Sequence, residues 1–110
     1  MIMSILLSSL RAHEILLANA SSNVANMNTP DYKAIRTTIT PSIDGAVDVA
    51  TSRSDEPAAL DSDGRMESNV DIAKEFTDMM LSKTGFESVL NAIHTREDML
   101  NDLMNTLTKT

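Results

Sequence analysis

Chemistry in a short chain usually begins with histidine, cysteine or converging carboxylates, and this sequence is sparing with all of them. It has no cysteine, and therefore no disulfide, no thiolate metal site and no thiol nucleophile. Its two histidines, His13 and His94, lie far apart in the sequence. A metal site or an acid–base pair would need carboxylates converging on one of them in a cleft. Glu14 does not supply that for His13, because adjacent residues of a helix point in different directions. The stretch Asp61-Ser62-Asp63-Gly64 has the composition of a calcium loop. Aligning its glycine, however, puts Ala59 at the first ligand position and Val70 at the last, where the motif needs Asp and Glu. A solvated turn is expected there. No catalytic, cofactor-binding or metal-binding residue is assigned, and no enzymatic activity is expected.

What the chain does carry is two long apolar heptads, one near each end. Met3, Leu6, Leu10, His13, Leu17, Ala20, Val24 and Met27 recur at alternating steps of three and four. So do Ile72, Phe76, Met79, Lys83, Phe86, Leu90, Ile93, Glu97, Leu100, Met104 and Leu107. A repeat averaging ~3.5 residues keeps one seam of a helix facing a partner helix and implies a left-handed supercoil. A second apolar line on the first helix, Ile2, Ile5, Ala12 and Leu16, widens its buried face and predicts more than one neighbouring helix. Ends built as packing seams point to an assembly part rather than a catalyst.

The balance of charge agrees. The 110 residues carry a net charge of −7, so there is no basic patch to displace counterions from phosphates, and nucleic acid is not an expected partner. The first thirty residues hold only Arg11 and Glu14 as charged side chains. So bare a segment must pack on something rather than stand in water. With no Trp, one Tyr and two Phe, packing falls to aliphatic side chains and eight Met, which fit irregular gaps. No stretch approaches the ~18 apolar residues that span a membrane, so membrane insertion is not expected. The N-terminus lacks the basic region and small-residue cleavage site of a secretory signal.

These patterns divide the chain into residues 1–30, an N-terminal helix over about 3–27 stopped by Asn28-Thr29-Pro30; 31–67, a polar linker; and 68–110, a C-terminal helix. Pro30 cannot continue the hydrogen-bond ladder and biases Thr29 toward extended geometry. In the linker Ile35, Thr37 and Ile39 alternate, as do Val47 and Val49, with Asp44-Gly45 as a turn signal, so a short β-hairpin is expected. From Ala50 to Glu67 the pattern fails and a loop is expected. The second helix should open near Ser68-Asn69-Val70-Asp71, with Ser68 and Asp71 as a capping box, and run from Ile72 to Leu107. Gly85 interrupts it, either as tolerated drift or to admit a neighbour closely; Lys83 and Glu97 either fix register on the seam or sit at a bundle edge. The fold expected is mainly α: two long terminal amphipathic helices in a coiled-coil-like hairpin or bundle, around an irregular middle with a short β-hairpin.

The segment Asn23-Val24-Ala25-Asn26-Met27-Asn28-Thr29-Pro30-Asp31-Tyr32-Lys33-Ala34 resembles the N-terminal signature of bacterial flagellar rod and hook proteins, commonly Asn-Ile-Ala-Asn-(x)-(Asn/Asp)-Thr-Pro-Gly-Tyr-Lys. Asp31 stands where that family usually has Gly, a departure softened by the tolerance of Asp for left-handed backbone. Ser68-Asn69-Val70-Asp71-Ile72-Ala73-Lys74-Glu75-Phe76, then Phe86-Glu87-Ser88 and Thr95-Arg96-Glu97-Asp98-Met99-Leu100, resemble the C-terminal pattern of the same family, in the same order. The length resembles the smaller, proximal rod proteins.

The resemblance implies a structural subunit of the flagellar basal-body rod, a periplasmic structure, exported through the flagellar type III apparatus without a cleaved signal. It implies other rod subunits and itself as partners, in a homo-oligomer or hetero-assembly, and no cofactor. The residues it marks are Asn23, Asn26, Asn28, Thr29, Pro30, Tyr32, Asn69 and Asp71. The seam residues expected to carry assembly are Leu6, Leu10, Leu17, Val24, Phe76, Phe86, Leu90, Ile93 and Leu100. The alternative is a cytoplasmic helical adaptor or export chaperone acting by coiled-coil packing, which periodicity alone does not exclude. The Asn-Thr-Pro-Asp-Tyr-Lys segment favours the rod, because an adaptor has no reason to carry it.

Overall fold

A computed structural model describes residues 2–109. Four elements follow one another: helix α1 (Ile2–Ala25), strands β1 (Ile35–Pro41) and β2 (Val47–Arg53), and helix α2 (Ile72–Thr108). This is the mainly α hairpin with a short β-hairpin in its middle that the patterning predicts. The molecule is a rod, 78 × 24 × 14 Å. Among the described residues no helix is long and apolar enough to cross a membrane.

α1 ends two residues earlier than its apolar repeat. The amide of Asn26 still bonds to the carbonyls of Ser22 and Asn23, but those of Met27 and Thr29 reach back only three residues, to Val24 and Asn26. The Asn26 side chain explains the tightening: its Nδ2 donates to the Ser22 carbonyl at 2.8 Å and its Oδ1 accepts from Thr29 Oγ1 at 3.1 Å. Short amides compete with the helical ladder in this way. Pro30 therefore follows a helix that has already unwound. Asp31 then takes φ 60°, a left-handed backbone that Asp tolerates better than most residues.

β1 and β2 pair antiparallel from Ile35 opposite Arg53 to Pro41 opposite Val47. Gly45, at φ 88°, makes the turn, helped by Asp44 Oδ1 accepting from the Ala46 amide. β2 runs on through Arg53, past Ala50 where the apolar alternation fails, because ladder bonds need no particular side chains. A two-stranded hairpin is marginal alone. Here it lies along α1, held by Asn19 Nδ2 donating to Thr37 Oγ1 (2.8 Å) and the Val47 amide donating to Ser8 Oγ (3.3 Å). α1 thus has α2 on one side and the hairpin on another. That answers its wide apolar face, although the second neighbour is a sheet and not the helix the sequence suggests.

The second helix starts at Ile72, and its cap is Asp71 alone, accepting from the amides of Ala73 and Lys74. The expected capping box does not form. Ser68 Oγ instead accepts from the Val70 amide in the extended approach, three residues before the cap. The Asp61–Gly64 segment is a turn, with Asp61 Oδ1 accepting from the amides of Asp63 and Arg65.

α1 and α2 run antiparallel. Asn23 meets Glu75 and, ten residues further along each, His13 meets Gly85. That register brings Ile2 level with Arg96, so α2 continues about 18 Å beyond the start of α1 at the helical rise. Ala12 and Ala20 of α1 are fully buried, as is Ala34 ahead of β1.

Candidate functional site

The two ends of the chain are joined at one place, and Asn23 is its centre. This residue sits on the last turn of α1 with no exposed surface. Its Oδ1 accepts from the Tyr32 hydroxyl (3.0 Å) and the Ile35 amide (2.8 Å). Its Nδ2 donates to the Ile35 carbonyl (2.9 Å) and to Glu75 Oε2 (3.0 Å). Every hydrogen-bonding position of the amide is filled, which is what makes full burial of an Asn tolerable. One side chain thus ties α1, the chain leaving it, the start of β1 and the first turn of α2.

Glu75 completes the junction. It is 1% exposed, and its second oxygen, Oε1, accepts from the Arg36 guanidinium at 3.1 Å. Arg36 belongs to β1 and is the only hairpin side chain bonded to α2 among the described residues. Its Nε is buried without a partner, so the pair is held by one N–H···O contact rather than a two-pronged fork. A carboxylate in such a place needs its charge matched, because an unpaired buried charge is costly.

Asn69 does for the C-terminal signature what Asn23 does for the N-terminal one. Its Oδ1 accepts from the Ala34 amide (2.6 Å), and its Nδ2 donates to the carbonyls of Ser54 (3.1 Å) and Glu56 (3.0 Å). Its backbone amide bonds to the Tyr32 carbonyl, and the Asp31 amide bonds to Met66, so the loop before α2 is stitched to the turn after α1. Arg53 lies 5.4 Å from the centre of the Tyr32 ring and donates to the Lys33 carbonyl. Asn23, Tyr32 and Asn69 therefore converge, with Asp71 capping the helix that carries Glu75. Asn26 and Thr29 serve the turn itself, while Asn28 and Pro30 are exposed on it.

Glu75 and Arg36 are not among the residues picked out from sequence. Glu75 is indistinguishable there from any acid in a first helical turn. One signal was available: it lies four residues before Met79, in step with an inward-facing stripe.

That stripe is the main displacement from expectation. Along α2 the positions against α1 are Glu75, Met79, Ser82, Phe86, Val89 and Ile93, each buried or half-buried. The expected seam shares Met79, Phe86 and Ile93 with it but runs one residue off elsewhere. Phe76 is 51% exposed, Leu90 36% and Leu100 43%, and on α1 Leu17 is 40% exposed. Leu6, Leu10 and Val24 are half-buried. Lys83 and Glu97 are exposed, at the edge of the pairing rather than within it.

His13 has a packing role. Its Nδ1 lies 2.8 Å from the Ser9 carbonyl, which makes that nitrogen the donor, and its ring occupies the space a Cβ would take at Gly85. Gly85 is in the helix because the imidazole lies across it. Among the described residues no three His, Asp or Glu side chains gather as a metal's ligands would.

Residues 64–106 match the family model described as flagellar basal body rod FlgEFG protein C-terminal. The matched segment runs from the turn at Gly64 through Asn69, Asp71 and Glu75 to nearly the end of α2. No curated protein matches the chain.

Proposed function

We propose, from the premise that a chain with this C-terminal match is a flagellar rod family protein, that it is a subunit of the basal-body rod which assembles through its paired terminal helices. The family is a structural one, and the role is structural: the chain offers surfaces to neighbouring axial subunits. The observation that carries this reading is the junction. Asn23 and Tyr32 from one signature and Asn69 and Glu75 from the other form a single hydrogen-bonded knot. That knot fixes how the two helices pair and which apolar residues stay outside. Phe76 and Leu90 remain on the surface, with Met80 70% and Leu81 60% exposed, far more than one chain leaves bare without a use for it. In the rod these stripes are covered by neighbouring subunits, in the basal body, after export by the type III route with the N-terminus uncut.

The test is a pair of substitutions, Phe76→Ser and Leu90→Ser, in the bacterium that makes the protein. Both residues are on the surface of the single chain, so its unfolding midpoint should stay within about 0.5 kcal/mol of wild type, the usual range for surface changes. Incorporation into purified basal bodies, and motility, should be lost. Mass measurement of the incorporated wild-type protein should show no segment removed in the length range of a secretory signal. A double variant that assembles normally would overturn the packing reading. Wild-type protein confined to the cytoplasm and absent from basal bodies would favour the helical adaptor or export chaperone instead.

A further inference from the structure

β1 and β2 form a sheet of two strands only, so each strand has one edge bonded to its neighbour and one facing outward. The Ser42 amide bonds to the Ala46 carbonyl at one end of the pair, and the Ser54 amide to the Ala34 carbonyl at the other. With Ile35 opposite Arg53, the pairs Arg36–Ser52, Thr38–Ala50 and Thr40–Asp48 therefore exchange the ladder bonds, and the backbone groups of the odd-numbered residues face outward. Some of these outward groups are used. Asn23 takes both the amide and the carbonyl of Ile35, and Ser8 takes the amide of Val47. The outward amides and carbonyls of Val49 and Thr51 have no partner among the described residues. Such a row is a template for another strand. β2 has neither Pro nor Lys to block it, whereas β1 ends in Pro41, which has no amide to offer.

Past Ser8 a cleft of about 500 Å³ separates this edge from α1. Leu7, Arg11 and Ile15 line it on the helix side, Val47 and Val49 on the strand side. A second hollow, of about 280 Å³, lies further along, between Asn19 and residues 51–53. Leu7 is left 51% exposed in the cleft. On the helix side one charge faces it. Arg11 is exposed, is the only cation in the first thirty residues, and has neither hydrogen bond nor ion pair among the described residues. Asp48 sits between the two valines, but strand alternation turns its side chain to the opposite face of the sheet. A bare strand edge, apolar walls and an unmatched cation lie side by side. Together they suit an extended segment with apolar side chains and a carboxylate.

We infer that the cleft beside β2 takes an extended acidic peptide segment, which adds to the sheet as a third strand antiparallel to β2. Its residues opposite Val49 and Thr51 bond to both, and their side chains share the face of Val49 and turn toward α1. An apolar residue opposite Val49 fills the space between Leu7 and Ile15. An acidic residue two positions on, opposite Val47, meets Arg11. Pairing ends there, because Ser8 already holds the Val47 amide. A second copy of the chain is a poor occupant. Every such edge has its own α1 beside Val47, so pairing two copies edge to edge would set each α1 against the other's strand, and each copy brings a net charge of −7. The site is formed within one chain and does not rest on the rod reading.

The probe is a synthetic peptide, Thr-Thr-Val-Thr-Val-Thr-Glu, labelled with fluorescein at its N-terminus and amidated at its C-terminus. Titrated with the full chain and followed by anisotropy, it should saturate below millimolar protein. Its fifth residue lies opposite Val49, and N-methylating that residue removes the bond to the Val49 carbonyl. Binding should weaken about fivefold or more. N-methylating the fourth residue, whose amide points away from β2, should leave binding nearly unchanged. Arg11→Gln should weaken the peptide by about two- to fivefold, as expected of an exposed ion pair, and should not affect a version ending in Gln. In hydrogen exchange the Val49 and Thr51 amides should slow on binding, while the Ala50 amide, already in the ladder, should not. No binding at millimolar protein, equal losses from the two N-methylations, or an Arg11 effect that ignores the peptide's carboxylate would each overturn the inference. So would protection of Val49 and Thr51 on concentrating the chain alone, which would make a second copy the occupant.

Discussion

Replacing Glu75 with Ala removes the one group that both Asn23 and Arg36 use to hold α2 in place. Two bonds are lost at once: Asn23 Nδ2 to Oε2 at 3.0 Å and the Arg36 guanidinium to Oε1 at 3.1 Å. Arg36 is only 19% exposed and its Nε is already without a partner, so the cation is left largely buried and unmatched. Breaking a fully buried pair costs about 3–5 kcal/mol. The partial exposure of Arg36 and the single-pronged geometry place Glu75→Ala at the low end, about 3 kcal/mol. For a domain of this size total stability is on the order of 5–15 kcal/mol, so the loss is a large share of it. The assay is urea unfolding followed by circular dichroism, at one fixed protein concentration because association shifts apparent stability. In a thermal scan the same loss corresponds to a drop of roughly 10–20 °C. Adding Arg36→Met to Glu75→Ala should restore about half of it or more, because the stranded charge is gone. A single Glu75→Ala variant within 1 kcal/mol of wild type, or a double variant no better than the single, would refute the reasoning.

Other substitutions test the remaining contacts. Gly85→Ala raises helix propensity by ~1 kcal/mol at an ordinary site but should destabilise here by about 1–3 kcal/mol, because the new methyl meets the His13 ring; His13→Ala in the same chain should reverse the sign, read from the unfolding midpoint. Asp31→Gly should hold or raise stability by up to ~1 kcal/mol, since it relieves a left-handed non-glycine backbone while adding freedom to the unfolded chain. Asn69→Ala frees the Ala34 amide and the carbonyls of Ser54 and Glu56 together. It should speed hydrogen exchange at Ala34 and proteolysis within residues 54–67 several-fold, with far smaller changes in the middle of α2.

Much of this molecule follows from local chemistry and can be read from the chain itself. Two helices arise from two apolar repeats, and a hairpin from alternation around Asp44-Gly45. Each depends on neighbours within a few residues, so periodicity and turn chemistry suffice. The phase of the helix pairing is of another kind. A stripe through Phe76 and Leu90 and one through Glu75 and Val89 share Met79, Phe86 and Ile93, and by apolar content the first looks better. The second faces α1 because Glu75 finds Asn23 and Arg36, which are 52 and 39 residues away, and because Gly85 leaves room for His13. The second covering of α1 is likewise a sheet and not a helix, since an apolar line records that something packs there and not what does. Long-range partners of buried polar groups leave no periodic trace, and only the tertiary structure decided which face α2 turns inward and which it leaves exposed.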